Sequence, residues 1–192
     1  MMLQLLLQEP IVFFLLAGAL IVSISVHEFS HAFVANALGD STAKKGGRLT
    51  LNPKAHLDPI GMLFLLLLGF GWGKPVPFDP NNLKNPRRDS ALVSLAGPAS
   101  NLILAVIISL ILKLAKADNI FGLFLYMTAF YNLILGFFNL IPLGPLDGNK
   151  IVFGFLPGRL AIQWMEFQKY GTYILLFLII FNFTEKIVQP LV

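Results

Sequence analysis

The chain has 192 residues, of which 56% are hydrophobic, 12% are charged and none is cysteine. With a mean hydropathy of +0.76, this composition excludes an ordinary soluble domain and indicates a membrane protein in contact with a lipid bilayer. The lack of Cys excludes a disulfide framework and thiolate metal sites. A formal net charge of +4 reads as membrane topology, and nucleic acid is not expected as a partner.

The N-terminus carries neither the basic n-region nor the small-residue cleavage site of a signal peptide, so the first apolar segment is expected to be retained. A bilayer span needs about 20 apolar residues. The first runs from about Pro10 to Asn36, with Pro10 suited to a helix start and Gly39 to its end. A polar stretch with a Gly46-Gly47 turn follows, then the apolar run Ile60 to Trp72 and a proline-rich loop reaching Arg88. Further spans are expected at about Ser90–Leu114, Asn119–Pro142 and Gly171–Val188. The chain therefore reads as an all-α polytopic membrane protein with about four transmembrane helices, a re-entrant segment and a short β-like loop.

Ile60 to Trp72 is re-entrant on two grounds. It has thirteen residues, too few to cross. If it enters and leaves on one side, eleven Lys and Arg residues share that face and only Lys113, Lys116 and Lys186 lie opposite. That bias marks the crowded side as cytoplasmic, with the N-terminus outside. Re-entry also returns Asp147 to the same membrane face as His27 and His31.

The first span contains "VHEFSHA", residues 26–32. On a helix His27 and His31 stand at i and i+4 on one face, able to share one metal ion, while Glu28 lies about 100° round, near a bound water. Such a centre needs a third ligand and one open position, where zinc acidifies water and the Glu moves its proton. Two of the three His of the chain fall in this pattern, inside an apolar helix where ionisable groups are usually functional. The bland alternative is a pair of inert, hydrogen-bonded imidazoles. No third His stands six residues on, where Ala37 is found, and His56 lies in a polar loop with Asp58. That leaves Asp147, in the Pro- and Gly-broken stretch "NLIPLGPLDG", as third ligand or as a helix cap. Two His and a carboxylate suit iron or manganese as well as zinc, the usual occupant.

"HEFSH" in a membrane helix, with "NLIPLGPLDG" near the end of a later one, resembles the site-2 protease family of intramembrane zinc metalloproteases. That family combines HExxH with N-x-x-P and a following [LM]-D-G, matched here by His27, Glu28 and His31, then Asn139, Pro142, Leu146, Asp147 and Gly148. "LNPKAHLDPIG", "KPVPFDPNNLKNPRRD" and "LAGPASN" extend the likeness to the short prokaryotic members. The resemblance implies one zinc ion on His27, His31 and Asp147, with Glu28 as general base. It also implies cleavage of a membrane-protein or peptide substrate in or near its membrane segment. A single domain spanning 1–192 is expected, with a catalytic core at about 10–150, a C-terminal helix at about 171–188 and a prokaryotic cell-membrane location with the active site toward the cytoplasm. No PDZ-like or cystathionine-synthase-like domain is visible, so recruitment of substrate through one is not expected.

Asn139 and Asn101 are uncharged donors in apolar helices, suited to a tetrahedral oxyanion or simply to tying helices together. Lys45–Leu51 and Gly69–Pro77 supply either an edge for a substrate strand or ordinary turns. His56 and Asp58 are either entrance residues or loop anchors. Lys44, Lys45, Arg87 and Arg88 mark the cytoplasmic face. Two other classes compete with the protease: a zinc-binding adaptor without catalysis, and a metal-ion transporter.

Overall fold

The computed structural model describes residues 2–68, 71–116, 118–181, 183 and 190. Among the described residues three helices are long and apolar enough to cross a bilayer: α2 (Pro10–Ala37), α5 (Pro86–Ala115) and α6 (Ile120–Leu140). Around them stand α1 (Met2–Gln8), α3 (Thr42–Lys45), α4 (Pro59–Leu68), α7 (Asp147–Phe155), α8 (Gly158–Gln168) and α9 (Gly171–Ile180). The chain is an all-α membrane protein. The expected fourth span reaches past α9, but residues 182 and 184–189 lie outside the described set.

Helix ends follow local chemistry. Pro10, Pro59 and Pro86 each open a helix, where the missing amide costs nothing. α5 starts four residues earlier than expected because Asp89 Oδ2 accepts the Asn85 N–H at 2.8 Å, satisfying a first-turn donor. α6 begins where the Asn119 side chain accepts the Gly122 N–H at 3.0 Å.

α2, α5 and α6 pack against one another, and α5 also carries α7. Small residues line these contacts. Ala19, Ala32, Ala35, Ala91 and Ala105 are buried, and a Cβ on Gly136 would press into Leu102. Close approach of this kind suits helices in lipid, where dispersion contacts replace the hydrophobic effect. Ile11, Phe14, Ile103, Val106 and Leu110 remain exposed, as lipid-facing side chains do.

The segment expected to re-enter does return on itself. α4 is ten residues long, about 15 Å, half a hydrocarbon core. Its flanks meet in an antiparallel bridge between Leu57 and Gly73, and Lys74 N–H donates to His56 O at 2.8 Å. Gly69 and Phe70 lie outside the described residues. The β-like loop is an extended stretch after Gly71 with that one bridge, and no strand forms among the described residues. Lys45–Leu51 offers no extended edge: Lys45 ends α3, and the turn that follows brings Arg48 inward.

Candidate metal centre and cleft

His27 and His31 lie on the inner face of α2, ten and six residues before its end at Ala37. Helical rise sets His31 about 9 Å from that end. Asp147 is delivered by a different device. α6 stops at Leu140, Pro142 and Pro145 prevent its continuation, and Gly144 turns the chain with φ of +53°. Asp147 then opens α7, packed so closely that a Cβ on the next residue, Gly148, would lie 2.5 Å from Ile141 O.

The three side chains converge on one point. His27 Nε2 and His31 Nε2 are 3.0 Å apart, and Asp147 Oδ2 lies 3.1 and 3.2 Å from them. All three residues are buried. His31 Nδ1 contacts the Val93 carbonyl at 2.7 Å, which can only accept, so in the neutral ring Nδ1 carries the proton and Nε2 the lone pair. His27 Nδ1 donates to Asn101 Oδ1 at 2.6 Å, with the same consequence. Two lone pairs and a carboxylate oxygen facing each other in a buried space repel unless a cation lies between them. Nitrogen ligands about 2.0–2.1 Å from a tetrahedral zinc stand about 3.3 Å apart, so the observed spacing fits such an ion.

A second face of the same site is a cleft of about 120 Å³, above the roughly 10–15 Å³ one water requires. Glu28, Asn139, Val76, Phe78 and Lys150 line it beside the three converging groups. Glu28 Oε2 accepts the Val76 N–H at 2.9 Å, while Oε1 has no hydrogen-bond partner among the described residues. Asn139 uses one amide hydrogen on Leu135 O at 3.0 Å and lines the cleft. Asn101 does not. Its amide hydrogens go to Ser23 O at 3.0 Å and Asn132 Oδ1 at 2.6 Å, leaving none for an oxyanion. It stands behind His27 and orients the ring.

His56 and Asp58 are loop anchors. His56 is fully buried and bonds Thr50 O at 2.7 Å, and Asp58 Oδ1 caps α4 through the Gly61 N–H at 2.8 Å.

Several contributors have no marker in the sequence. Gly97 allows α5 to lie against the imidazoles, since a Cβ there would stand 2.6 Å from His27 Cε1. Arg48 is buried and donates to Lys74 O at 2.5 Å and Pro75 O at 3.2 Å, holding the strip that supplies Val76 to Glu28. Burial lowers its pKa and the nearby Glu28 charge works the other way; an arginine so placed stays charged. Asp40 fixes the far end of that strip through the Asp79 N–H at 2.8 Å and Asn82 Nδ2 at 2.8 Å. Gln168 on α8 brackets the turn before Asp147, donating to Pro142 O and accepting from Gly144 N–H, both at 2.9 Å.

Two imidazoles, one aspartate and a glutamate thus meet beside a cleft between membrane-length helices. Residues 15–182 match the model of Peptidase family M50, and the chain belongs to that family. YwhC of Bacillus subtilis, provisionally named a zinc metalloprotease, is 40% identical over 185 residues, covering 90% of this chain and 83% of its own. Rip2 of Mycolicibacterium smegmatis, with the same kind of provisional name, is 36% identical over 151 residues, 71% of this chain and 55% of its own. The zinc metalloprotease MJ0392 of Methanocaldococcus jannaschii is 28% identical over 134 residues, 69% of this chain and 32% of its own. No solved structure matches the chain.

Proposed function

We propose that this protein is an intramembrane zinc endopeptidase that hydrolyses peptide bonds in or near a transmembrane segment of membrane-protein substrates. The observation that carries the reading is the convergence of His27 Nε2, His31 Nε2 and Asp147 Oδ2 within 3.2 Å of one another, beside Glu28 in a cleft. One zinc ion held by these three would supply Lewis acidity to water and to the scissile carbonyl.

The rest is work for the chain's own groups. Glu28 Oε1 takes a proton from the attacking water, whose oxygen adds to the peptide carbon. The Val76 N–H holds the other carboxylate oxygen and so fixes the orientation of the group beside the cleft. Asn139 donates toward the developing oxyanion. Glu28 returns its proton to the amide nitrogen as the C–N bond breaks, leaving an amine and a carboxylic acid, whose remaining proton passes to water or to the amine. The extended strip after Gly71 lies along the cleft through Pro75, Val76 and Phe78, the place for a substrate segment drawn out as a strand.

The excess of Lys and Arg on the side of the re-entrant loop supports a cell-membrane protein with its cleft toward the cytoplasm. An adaptor that only holds zinc has no use for Glu28. For a transporter, the buried amides beyond His27 are bonded to one another and offer no wet path. In detergent-purified protein, Glu28→Gln should keep its zinc and lose cleavage of a membrane-segment peptide by about 10²–10⁴-fold. Equal cleavage by parent and variant would refute the mechanism.

A further inference from the structure

Behind His27 a chain of amides crosses all three long helices. Ser23 on α2, Asn101 on α5 and Asn132 on α6 have no exposed surface. Asn132 Nδ2 donates to Thr128 O at 2.8 Å and Ser23 Oγ at 2.7 Å, and its Oδ1 accepts from Asn101 Nδ2 at 2.6 Å. Asn101 Nδ2 also donates to Ser23 O at 3.0 Å, and Asn101 Oδ1 accepts from His27 Nδ1 at 2.6 Å.

Each amide orientation is dictated by a backbone carbonyl, which can only accept. Thr128 O fixes the nitrogen of Asn132, so its oxygen must face Asn101. Ser23 O fixes the nitrogen of Asn101, so its oxygen must face His27. We propose that Asn132, which touches neither metal ligands nor cleft, is a positioning residue that sets the tautomer of His27. By taking the second Asn101 Nδ2 hydrogen, beside Ser23 O, it reinforces the orientation that puts Asn101 Oδ1 on His27 Nδ1, the proton on Nδ1 and the lone pair on Nε2. If Asn101 turned over, its NH₂ would face Nδ1, the proton would move to Nε2, and that nitrogen could no longer ligate.

Buried asparagines also tie membrane helices together, and that role alone predicts lower stability with an unchanged tautomer. The proposal's effect on metal binding rests on the reading of the metal centre; its effect on the ring does not. The test uses the full chain in detergent, free of metal and at mildly alkaline pH, with ¹⁵N-labelled histidine rings. Only three His are present, and Co²⁺ broadening separates His27 and His31 from His56.

In the parent both cobalt-sensitive rings should be Nδ1–H tautomers. Asn132→Leu should give one of them an Nε2–H population and weaken zinc binding, read by chelator competition, by about tenfold, the low end for outer-shell partners of a metal-bound His. Asn132→Asp, which keeps an oxygen for Asn101, should hold zinc Kd within about twofold of the parent, since one such retained partner spares that loss. A parent ring already in the Nε2–H form overturns the proposal even if Asn132→Leu fails to fold. So does a folded Asn132→Leu with unchanged spectrum and affinity. If no metal binds at all, the metalloprotease reading fails, while the tautomer, assigned through His56→Gln, still decides the relay.

Discussion

Gly97→Ala adds one methyl group to a membrane helix and should weaken metal binding by about 10²-fold. The new Cβ would stand 2.6 Å from both His27 Cε1 and His31 Cε1, where carbon atoms rest at about 3.5–4.0 Å. The rings must therefore yield by about 1 Å. They have little freedom to do so, since His31 Nδ1 is tied to Val93 O at 2.7 Å and His27 Nδ1 to Asn101 Oδ1 at 2.6 Å. A 1 Å misplacement at a reacting centre costs about 10²-fold, so zinc affinity and cleavage should each fall by about that factor. In free energy this is about 2.8 kcal/mol. The helix itself gains up to about 1 kcal/mol from replacing Gly by Ala, so thermal unfolding of the metal-free protein should not drop in parallel. Chelator competition on detergent-purified protein, beside circular-dichroism melting, separates the two. A variant with zinc Kd within twofold of the parent would refute the packing of α5 against the imidazoles.

Gly148→Ala should act on the third ligand in the same way, because its Cβ would lie 2.5 Å from Ile141 O; zinc affinity falls, and unchanged affinity would contradict the tight turn. Arg48→Leu should leave zinc content intact and lower kcat/KM by about tenfold or more as the Val76 N–H drifts from Glu28, because small misplacements at a reacting centre are costly; loss of zinc would contradict this. Asp40 governs acid sensitivity. Its burial favours the neutral form, but hydrogen bonds from Thr42, Asn82 and the Asp79 N–H outweigh that and lower its pKa. Its contribution is therefore full above the ordinary Asp pKa of about 3.9 and fades as pH falls through the lower folded value. Protease nicking in 73–82 should rise only in that acid range, and Asp40→Asn should show the nicking already at neutral pH.

What the sequence revealed and concealed divides along a physical line. His27 and His31 were visible because helical periodicity puts residues i and i+4 on a shared face, and Glu28 because it stands beside them about 100° round. Asp147 was visible because charge asymmetry folded Ile60–Trp72 back and returned "LDG" to the same side, and the Leu57–Gly73 bridge agrees. α7 and α8 were missed because they are short and amphipathic and follow a Pro- and Gly-rich stretch that reads as loop. Arg48 was counted among the charges that mark a membrane face, yet its partners are backbone carbonyls, which leave no trace in a sequence. Gly97 and Asn132 matter through what they lie against, and only the packed helices reveal that. For Asn101 two tasks stayed open, because an amide's role depends on which of its two ends is already occupied. Only the packed helices show that its nitrogen is bonded to α2 and α6.

The most direct test of the central claim is metal analysis of the detergent-purified parent beside Asp147→Ala. The account predicts about one zinc per chain in the parent, as a three-residue site with one open position holds, and almost none in Asp147→Ala. Full zinc in Asp147→Ala, or none in the parent after zinc loading and desalting, would contradict the convergence of α2 and α7 on a single ion.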